Sequence, residues 1–242
     1  MDIFNSWLVT KYIAHRGLHN DTMPENSLAA MQNAIDHDYA IEIDLHPIED
    51  GTPVLFHDET LNRLTGEDGY IKKVENVEQL KKLRLLNTNE TIPTLKEALE
   101  FVNGQVPLLI EIKDYNMTGT FEKAIYEVLK DYKGEYAVMS FNPYSIKWFK
   151  INAPEVVRGL LSCYFKGEKL NSALKFALKR MLLKKVADPQ FIAYKWNELP
   201  NKHVNKVKHL PLLAWPVPSQ QEYMKVAKHC DNIIFEYFEP KI

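Results

Sequence analysis

Two short runs carry acids at a spacing that could hold a cation. In residues 40–45, AIEIDL, side chains alternate along an extended strand, so Ile41, Ile43 and Leu45 share one face while Glu42 and Asp44 share the other. Residues 107–113, PLLIEIK, repeat the arrangement, with Leu108, Ile110 and Ile112 on one face and Glu111 and Lys113 opposite. A carboxylate on the inner face of a buried strand meets a prohibitive desolvation cost unless positive charge sits beside it. Each acid could pair with a basic neighbour such as Lys113 or Arg16, which is the better reading for a single acid in a strand. Two acids at i, i+2 with a third on a following strand shift the balance toward a hard divalent cation, Mg2+ or Ca2+, held by Glu42, Asp44 and Glu111. Too few thiols or imidazoles lie nearby for a dedicated zinc site.

Two histidines stand where they could work beside that cluster. The apolar run of residues 12–15, YIAH, ends in His15-Arg16-Gly17, and His57 follows the short run VLF. A lone histidine at a strand end is more often structural. Two of them, flanking an acid cluster and an arginine, suit a proton donor and acceptor on either side of a bound anion. Arg16 can give two parallel hydrogen bonds to a phosphate, and Gly17 lets the backbone turn sharply at a ligand.

These groups need a scaffold that brings strand ends together. Apolar runs bounded by turn signals recur at residues 12–15, 40–45, 107–113, 136–141, 156–161, 191–196, 211–217 and 232–238. Between them lie stretches of helical period that open near Ser27, Thr94, Thr120, Asn142, Asn171, Asn201 and Ser219, each close to a residue able to cap exposed N–H groups. This alternation within 242 residues predicts an α/β protein, a (β/α)8 TIM barrel, ahead of an open doubly wound sheet. The carboxylates then point toward the barrel axis near the C-terminal ends of the strands. One connection, about residues 47–93, is too long for a simple loop and is expected to form a small insertion after the second strand. Asp50-Gly51 within it reads as a hairpin turn between two extended runs.

Composition narrows the function classes. With a formal net charge of −2, the chain has no global field to attract nucleic acid, and no nucleic-acid motif is present, so recognition of phosphate must be local. Cys163 and Cys230 are far apart and lack paired spacing, which fits free thiols in a reducing compartment. No signal-peptide pattern and no run of ~18 apolar residues occurs, so a cytoplasmic location is expected.

The sequence HRG followed by PENS, then EIDLHPIEDGTPVLFHDETLNRLTG, then IEIK, resembles the glycerophosphodiester phosphodiesterase family. The likeness continues more weakly through residues 140–150, 213–217 and 233–240. Ile48 departs from the usual Thr, Glu236 stands where Asp is common, and residues 162–200 match nothing distinctive. The resemblance implies one domain over residues 1–242, a TIM barrel that hydrolyses glycerophosphodiesters to glycerol 3-phosphate and an alcohol. It implies His15 and His57 as the acid-base pair, Glu42, Asp44 and Glu111 as ligands of one divalent cation, and Arg16 and Lys113 at the substrate phosphate. It also suggests that the attacking group is the substrate's own 2-hydroxyl, through a cyclic phosphate.

Outside this set, Trp215 either stacks on the substrate or caps the core. Residues 166–185 are the most basic stretch, with Leu174, Leu178, Met181 and Leu182 at helical spacing. A barrel helix with a solvated lysine face is favoured there over a membrane-contacting helix. Competing functions are a phospholipase D-like enzyme acting on lysophospholipids and a silent barrel that binds a phosphorylated ligand; the presence of both histidines and all three acids speaks against silence.

Overall fold

A computed structural model of the chain describes residues 2–114, 117–167 and 169–241. The strands are β1 (Ile13–Ala14), β2 (Ala40–Pro47), β3 (Pro53–Leu55), β4 (Leu108–Ile112), β5 (Tyr136–Ser140), β6 (Val157–Ser162), β7 (Phe191–Lys195), β8 (Leu212–Val217) and β9 (Asn232–Phe235). The helices are α1 (Trp7–Thr10), α2 (Leu28–Asp36), α3 (Asn62–Thr65), α4 (Val77–Leu80), α5 (Leu95–Val102), α6 (Thr120–Leu129), α7 (Pro143–Asn152), α8 (Ser172–Lys179), α9 (Lys184–Ala187) and α10 (Gln220–Val226). Strand order is β1-β9-β8-β7-β6-β5-β4-β2-β3, with β1 also pairing with β2, so the parallel strands close as a (β/α)8 barrel and β3 is an antiparallel addition. The chain divides into two compact units, Ala14–Tyr136 and Met1–Ile13 with Ala137–Ile242.

In the unit Ala14–Tyr136, the capping residues start the helices as the sequence leads one to expect. Ser27 accepts from Ala30 N at the head of α2, and Thr94 forms a reciprocal capping box with Glu97 on α5. The turn at Asp50-Gly51 joins β2 to β3: Gly51 has φ +86°, and Leu45, His46 and Pro47 pair with Leu55, Val54 and Pro53. The excursion that follows has its own apolar cluster of Ile48, Val54, Phe56, Leu61, Leu64, Ile71, Val74, Leu80, Leu85 and Ile92. Ile48, the departure from the family's usual threonine, is buried in that cluster.

In the other unit, β6, β7, β8 and β9 pair in parallel. Asn232 donates from Nδ2 to the carbonyls of Leu8 and Lys11 at 2.8 and 2.7 Å, tying the N-terminal segment to β9. The helix expected from Asn201 is only a 3-10 turn over Val204–Lys206. Asn201 does cap, its Oδ1 accepting from His203 N and Val204 N, and the turn closes with Val207 N donating to the Val204 carbonyl at 2.9 Å. Among the described residues, Cys163 and Cys230 form no disulfide.

Candidate active site

The acid cluster follows from strand register. In the parallel pairing of β2 with β4, Asp44 lies beside Glu111 and Glu42 beside Leu109, so Asp44 and Glu111 project from neighbouring strands on one side. Ligand oxygens of Glu42, Asp44 and Glu111 all fall within 4.8 Å of one another. Glu42 and Asp44 have no exposed surface and Glu111 retains 6%.

Two cations reach into this cluster. Lys113 Nζ donates to Glu111 Oε1 at 2.6 Å and lies 3.1 Å from Asp44 Oδ1. Arg16 approaches from the end of β1: its backbone N–H donates to Glu42 Oε2 at 3.0 Å, and its Nε lies 3.1 Å from Asp44 Oδ2. The ion pairs and the clustered acids are thus one arrangement rather than alternatives. Burial would raise the Asp44 pKa, but Lys113 and Arg16, with smaller contributions from His57 and His15, outweigh it and hold the carboxylate well below its usual range. Glu42 goes the other way. Its burial, and the negative charge of Asp44 and Glu111 beside it, push its pKa well above the usual range despite Arg16 and Lys113.

Three carboxylates facing two cations leave one acid uncompensated, and Glu42 carries that burden. Its Oε1 is buried without a hydrogen-bond partner among the described residues. An orphaned carboxylate oxygen within a group of hard oxygen donors is the environment a divalent cation relieves, so these residues fit one.

Backbone conformation brings the first-strand residues onto this cluster. Arg16 has φ +55°, and Gly17 has φ +79°. A Cβ at Gly17 would lie 2.9 Å from Ala30 backbone atoms, so glycine supplies both the conformation and the space for α2. A left-handed arginine is uncommon and strained, and here it aims the side chain at Asp44 and Glu25. Asn26, also left-handed at φ +57°, brackets Asp44 by donating from Nδ2 to Asp44 Oδ2 at 3.0 Å and accepting at Oδ1 from Asp44 N at 3.1 Å.

The two histidines arrive by different routes. His15 directly follows β1, and its Nε2 lies 4.0 Å from Glu42 Oε2. His57 is returned by the β2–β3 hairpin: Phe56 N donates to the carbonyl of Asp44 at 3.1 Å, which places the residue after it alongside β2. The His57 carbonyl is held by Nε2 of His46 at 3.0 Å. Burial lowers the pKa of His46, so this ring is a neutral donor.

A second layer of charge escaped the sequence reading. Asp58 accepts from His57 Nδ1 at 2.7 Å. Arg63, on α3, donates to both Asp58 oxygens at 2.6 and 3.0 Å and to both Glu25 oxygens at 2.7 and 2.8 Å. Glu25 also accepts from Arg16 Nη1 at 2.6 Å. Burial acts to raise the Glu25 pKa, but hydrogen bonds from Arg63 and the charge of Arg16 overcome it and hold the group at about 2. The PENS and HDETLNR segments contained these residues. Their mutual contact is invisible in sequence because 38 positions separate Glu25 from Arg63.

Trp215 belongs to the other compact unit. Its ring packs edge-on against Phe141 at 5.4 Å between centroids, and its indole N–H is buried without a partner among the described residues. Glu236 follows β9, and its backbone N–H donates to the Val217 carbonyl at 3.0 Å.

The chain is similar to known proteins over most of its length. It shares 36% identity over 163 residues with a glycerophosphodiester phosphodiesterase of Caldanaerobacter subterraneus subsp. tengcongensis, covering 63% of this chain and 66% of that one. It shares 37% over 161 residues with glycerophosphodiester phosphodiesterase 1 of Bos taurus, covering 62% and 48%. The matched stretch is therefore less than two thirds of either relative's own length. An Oleispira antarctica phosphodiesterase, solved in complex with the product sn-glycerol-3-phosphate, superposes with a TM-score of 0.80 at 26% identity, covering 95% of this chain and 93% of that one. The model of the glycerophosphoryl diester phosphodiesterase family matches residues 15–233, a span that takes in every charged group of the cluster described above, and the chain belongs to that family.

Proposed function

We propose that the chain hydrolyses glycerophosphodiesters to glycerol 3-phosphate and an alcohol, with a divalent cation, Mg2+ or Ca2+, bound by Glu42, Asp44 and Glu111. The observation that carries this reading is the buried acid triad with an orphaned Glu42 oxygen. The product named in the Oleispira antarctica complex supports the substrate class. Both compact units are read as a single phosphodiesterase domain over residues 1–242, with about 47–93 as its insertion, because the family match runs through both.

When bound, the cation supplies positive charge against the non-bridging phosphate oxygens, which a phosphodiester requires because its own negative charge repels a nucleophile. Arg16 and Lys113 add fixed donors for the same oxygens. His15, whose Nε2 lies 4.0 Å from Glu42 Oε2, takes the proton of the attacking 2-hydroxyl as its oxygen bonds to phosphorus, giving a cyclic phosphate that water then opens to glycerol 3-phosphate. Asp58 keeps one His57 proton on Nδ1 and so turns Nε2 to the substrate, and a proton carried on Nε2 is delivered to the leaving alkoxide as its bond to phosphorus breaks.

Release of glycerol 3-phosphate from a panel of glycerophosphodiesters, and of the headgroup alcohol from lysophospholipids, with and without chelator, tests the reading. Metal-dependent release from the water-soluble diesters supports it. Release only from lysophospholipids would move the assignment to the phospholipase D-like reading, and binding without turnover to a silent barrel.

A further inference from the structure

The basic stretch after β6 does not behave as a helix that covers a barrel. Such a helix buries an apolar stripe, as α7 does with Ile146 and Phe149. No residue of α8 is buried. Leu174 is 37% exposed, Phe176 44% and, past the helix end, Leu182 56%, whereas Met181 alone of the expected apolar stripe is buried. Residues 166–185 are described apart from Glu168.

What secures α8 is a pair of polar tethers at its last turn. Ser162 Oγ donates to the Leu178 carbonyl at 3.0 Å, and the Tyr194 hydroxyl donates to the Lys179 carbonyl at 3.1 Å. Met181 and Ala187 anchor the following segment in a small core with Ile192 and Tyr194. The apolar side chains of Phe176 and Leu182 are thereby left exposed on a fixed support, and Leu174 is exposed on another side of the helix.

The segment that carries them is rich in positive charge. From 169 to 187 the sequence holds Lys169, Lys175, Lys179, Arg180, Lys184 and Lys185 and no acid. Lys179 and Arg180 follow Phe176 by three and four positions and so share its side of the helix. The Arg180 guanidinium sits over the Phe176 ring at 3.7 Å, which presents aromatic surface and positive charge as one unit.

We propose that residues 169–187 dock the protein on an anionic lipid bilayer, with Phe176 and Leu182 entering the boundary between headgroups and acyl chains and the cations of the segment facing lipid phosphates. Exposed apolar groups interleaved with lysine and arginine are the composition that lies in a membrane interface. A merely polyanionic partner leaves the apolar groups without a role. A second copy seated symmetrically on this face would set like charges against each other. This surface is independent of the reaction assigned above, and no described helix is long and apolar enough to cross a membrane.

The test is flotation of the full chain with phosphatidylcholine vesicles and with vesicles of phosphatidylcholine mixed with phosphatidylglycerol. Two double variants are compared, Lys179→Glu with Lys184→Glu, and Phe176→Ser with Leu182→Ser, each checked for unchanged thermal melting. Wild type is expected to float with the anionic vesicles alone and to detach at high salt. Charge reversal is expected to weaken binding about tenfold or more, and the serine pair to weaken it at unchanged charge. Failure to float with anionic vesicles would overturn the proposal. So would undiminished binding by the serine pair, which would mark general polyanion binding, or a wild-type dimer that the serine pair dissolves, which would assign the face to a second copy.

Discussion

Nδ1 of His57 lies 2.7 Å from the carboxylate of Asp58, the residue that follows it. Burial would raise the Asp58 pKa, but hydrogen bonds from His57 and Arg63 outweigh it and keep the group ionised. An ionised carboxylate only accepts, so the proton sits on Nδ1 and Nε2 is the nitrogen available to a substrate. Arg63 extends the restraint by holding Asp58 with one edge and Glu25 with the other. The loop carrying His57 is thereby tied to the loop carrying Arg16, because Glu25 pairs with both arginines.

Asp58→Asn is expected to lower kcat ~10²-fold with little change in KM, since the amide no longer fixes the tautomer and orientation of His57. Steady-state kinetics on one water-soluble glycerophosphodiester checks this, with Asp58→Glu restoring part of the loss. An unchanged kcat would remove Asp58 from the account.

The two histidines are distinguishable by leaving group. His57→Ala is expected to lose ~10²–10⁴-fold on diesters whose alcohol is a poor leaving group and far less on nitrophenyl esters, which depart without protonation. His15→Ala is expected to lose activity on both kinds. The reverse pattern would exchange the roles of base and acid.

Glu25 ties acid stability to the site. Its pKa is lowered from 4.5 to about 2 in the folded chain, so the unfolded state binds the proton more readily. The stability it contributes is fully present above the unfolded value and is lost as pH falls from about 4.5 through about 2. The loss is at most about 3 kcal/mol, from ~1.4 kcal/mol per unit. Urea unfolding of wild type and Glu25→Gln should show the gap between them closing across that window, and a constant gap would contradict the assignment.

Gly17→Ala is expected to destabilise the chain by on the order of 1–3 kcal/mol or more, because alanine disfavours the left-handed backbone and its Cβ would collide with Ala30. Denaturant unfolding checks it. Ordinary stability in the variant would show that α2 can shift away without cost.

The barrel was legible because its signals are local. Alternating apolar residues mark strands wherever they lie, and Ser27, Thr94, Asn142, Asn171 and Ser219 each cap the helix they precede. Strand ends shifted by a residue or more, most at β9, which stops at Phe235 rather than at residue 238. In the site, alternation along β2 and β4 was enough to put Glu42, Asp44 and Glu111 on one side, since parallel register sets Asp44 against Glu111. The supporting residues were not legible for a physical reason. Glu25, Asn26, Asp58 and Arg63 lie in irregular or very short elements with no periodicity, and their partners are fixed only by how loops distant in sequence converge. The same limit applied to α8, whose helical spacing was readable although the exposure of Leu174 and Phe176 was not.

The most direct measurement strips the purified chain of divalent cations with chelator and follows glycerol 3-phosphate release as Mg2+ or Ca2+ is returned, for wild type and for Glu42→Gln. Wild type is expected to fall to background in chelator and to recover saturably with the returned metal. Glu42→Gln, which replaces the orphaned carboxylate by a neutral amide of the same shape, is expected to stay folded and to recover little at any concentration. Full turnover in chelator, or wild-type recovery by Glu42→Gln, would contradict a metal-dependent reaction at this triad.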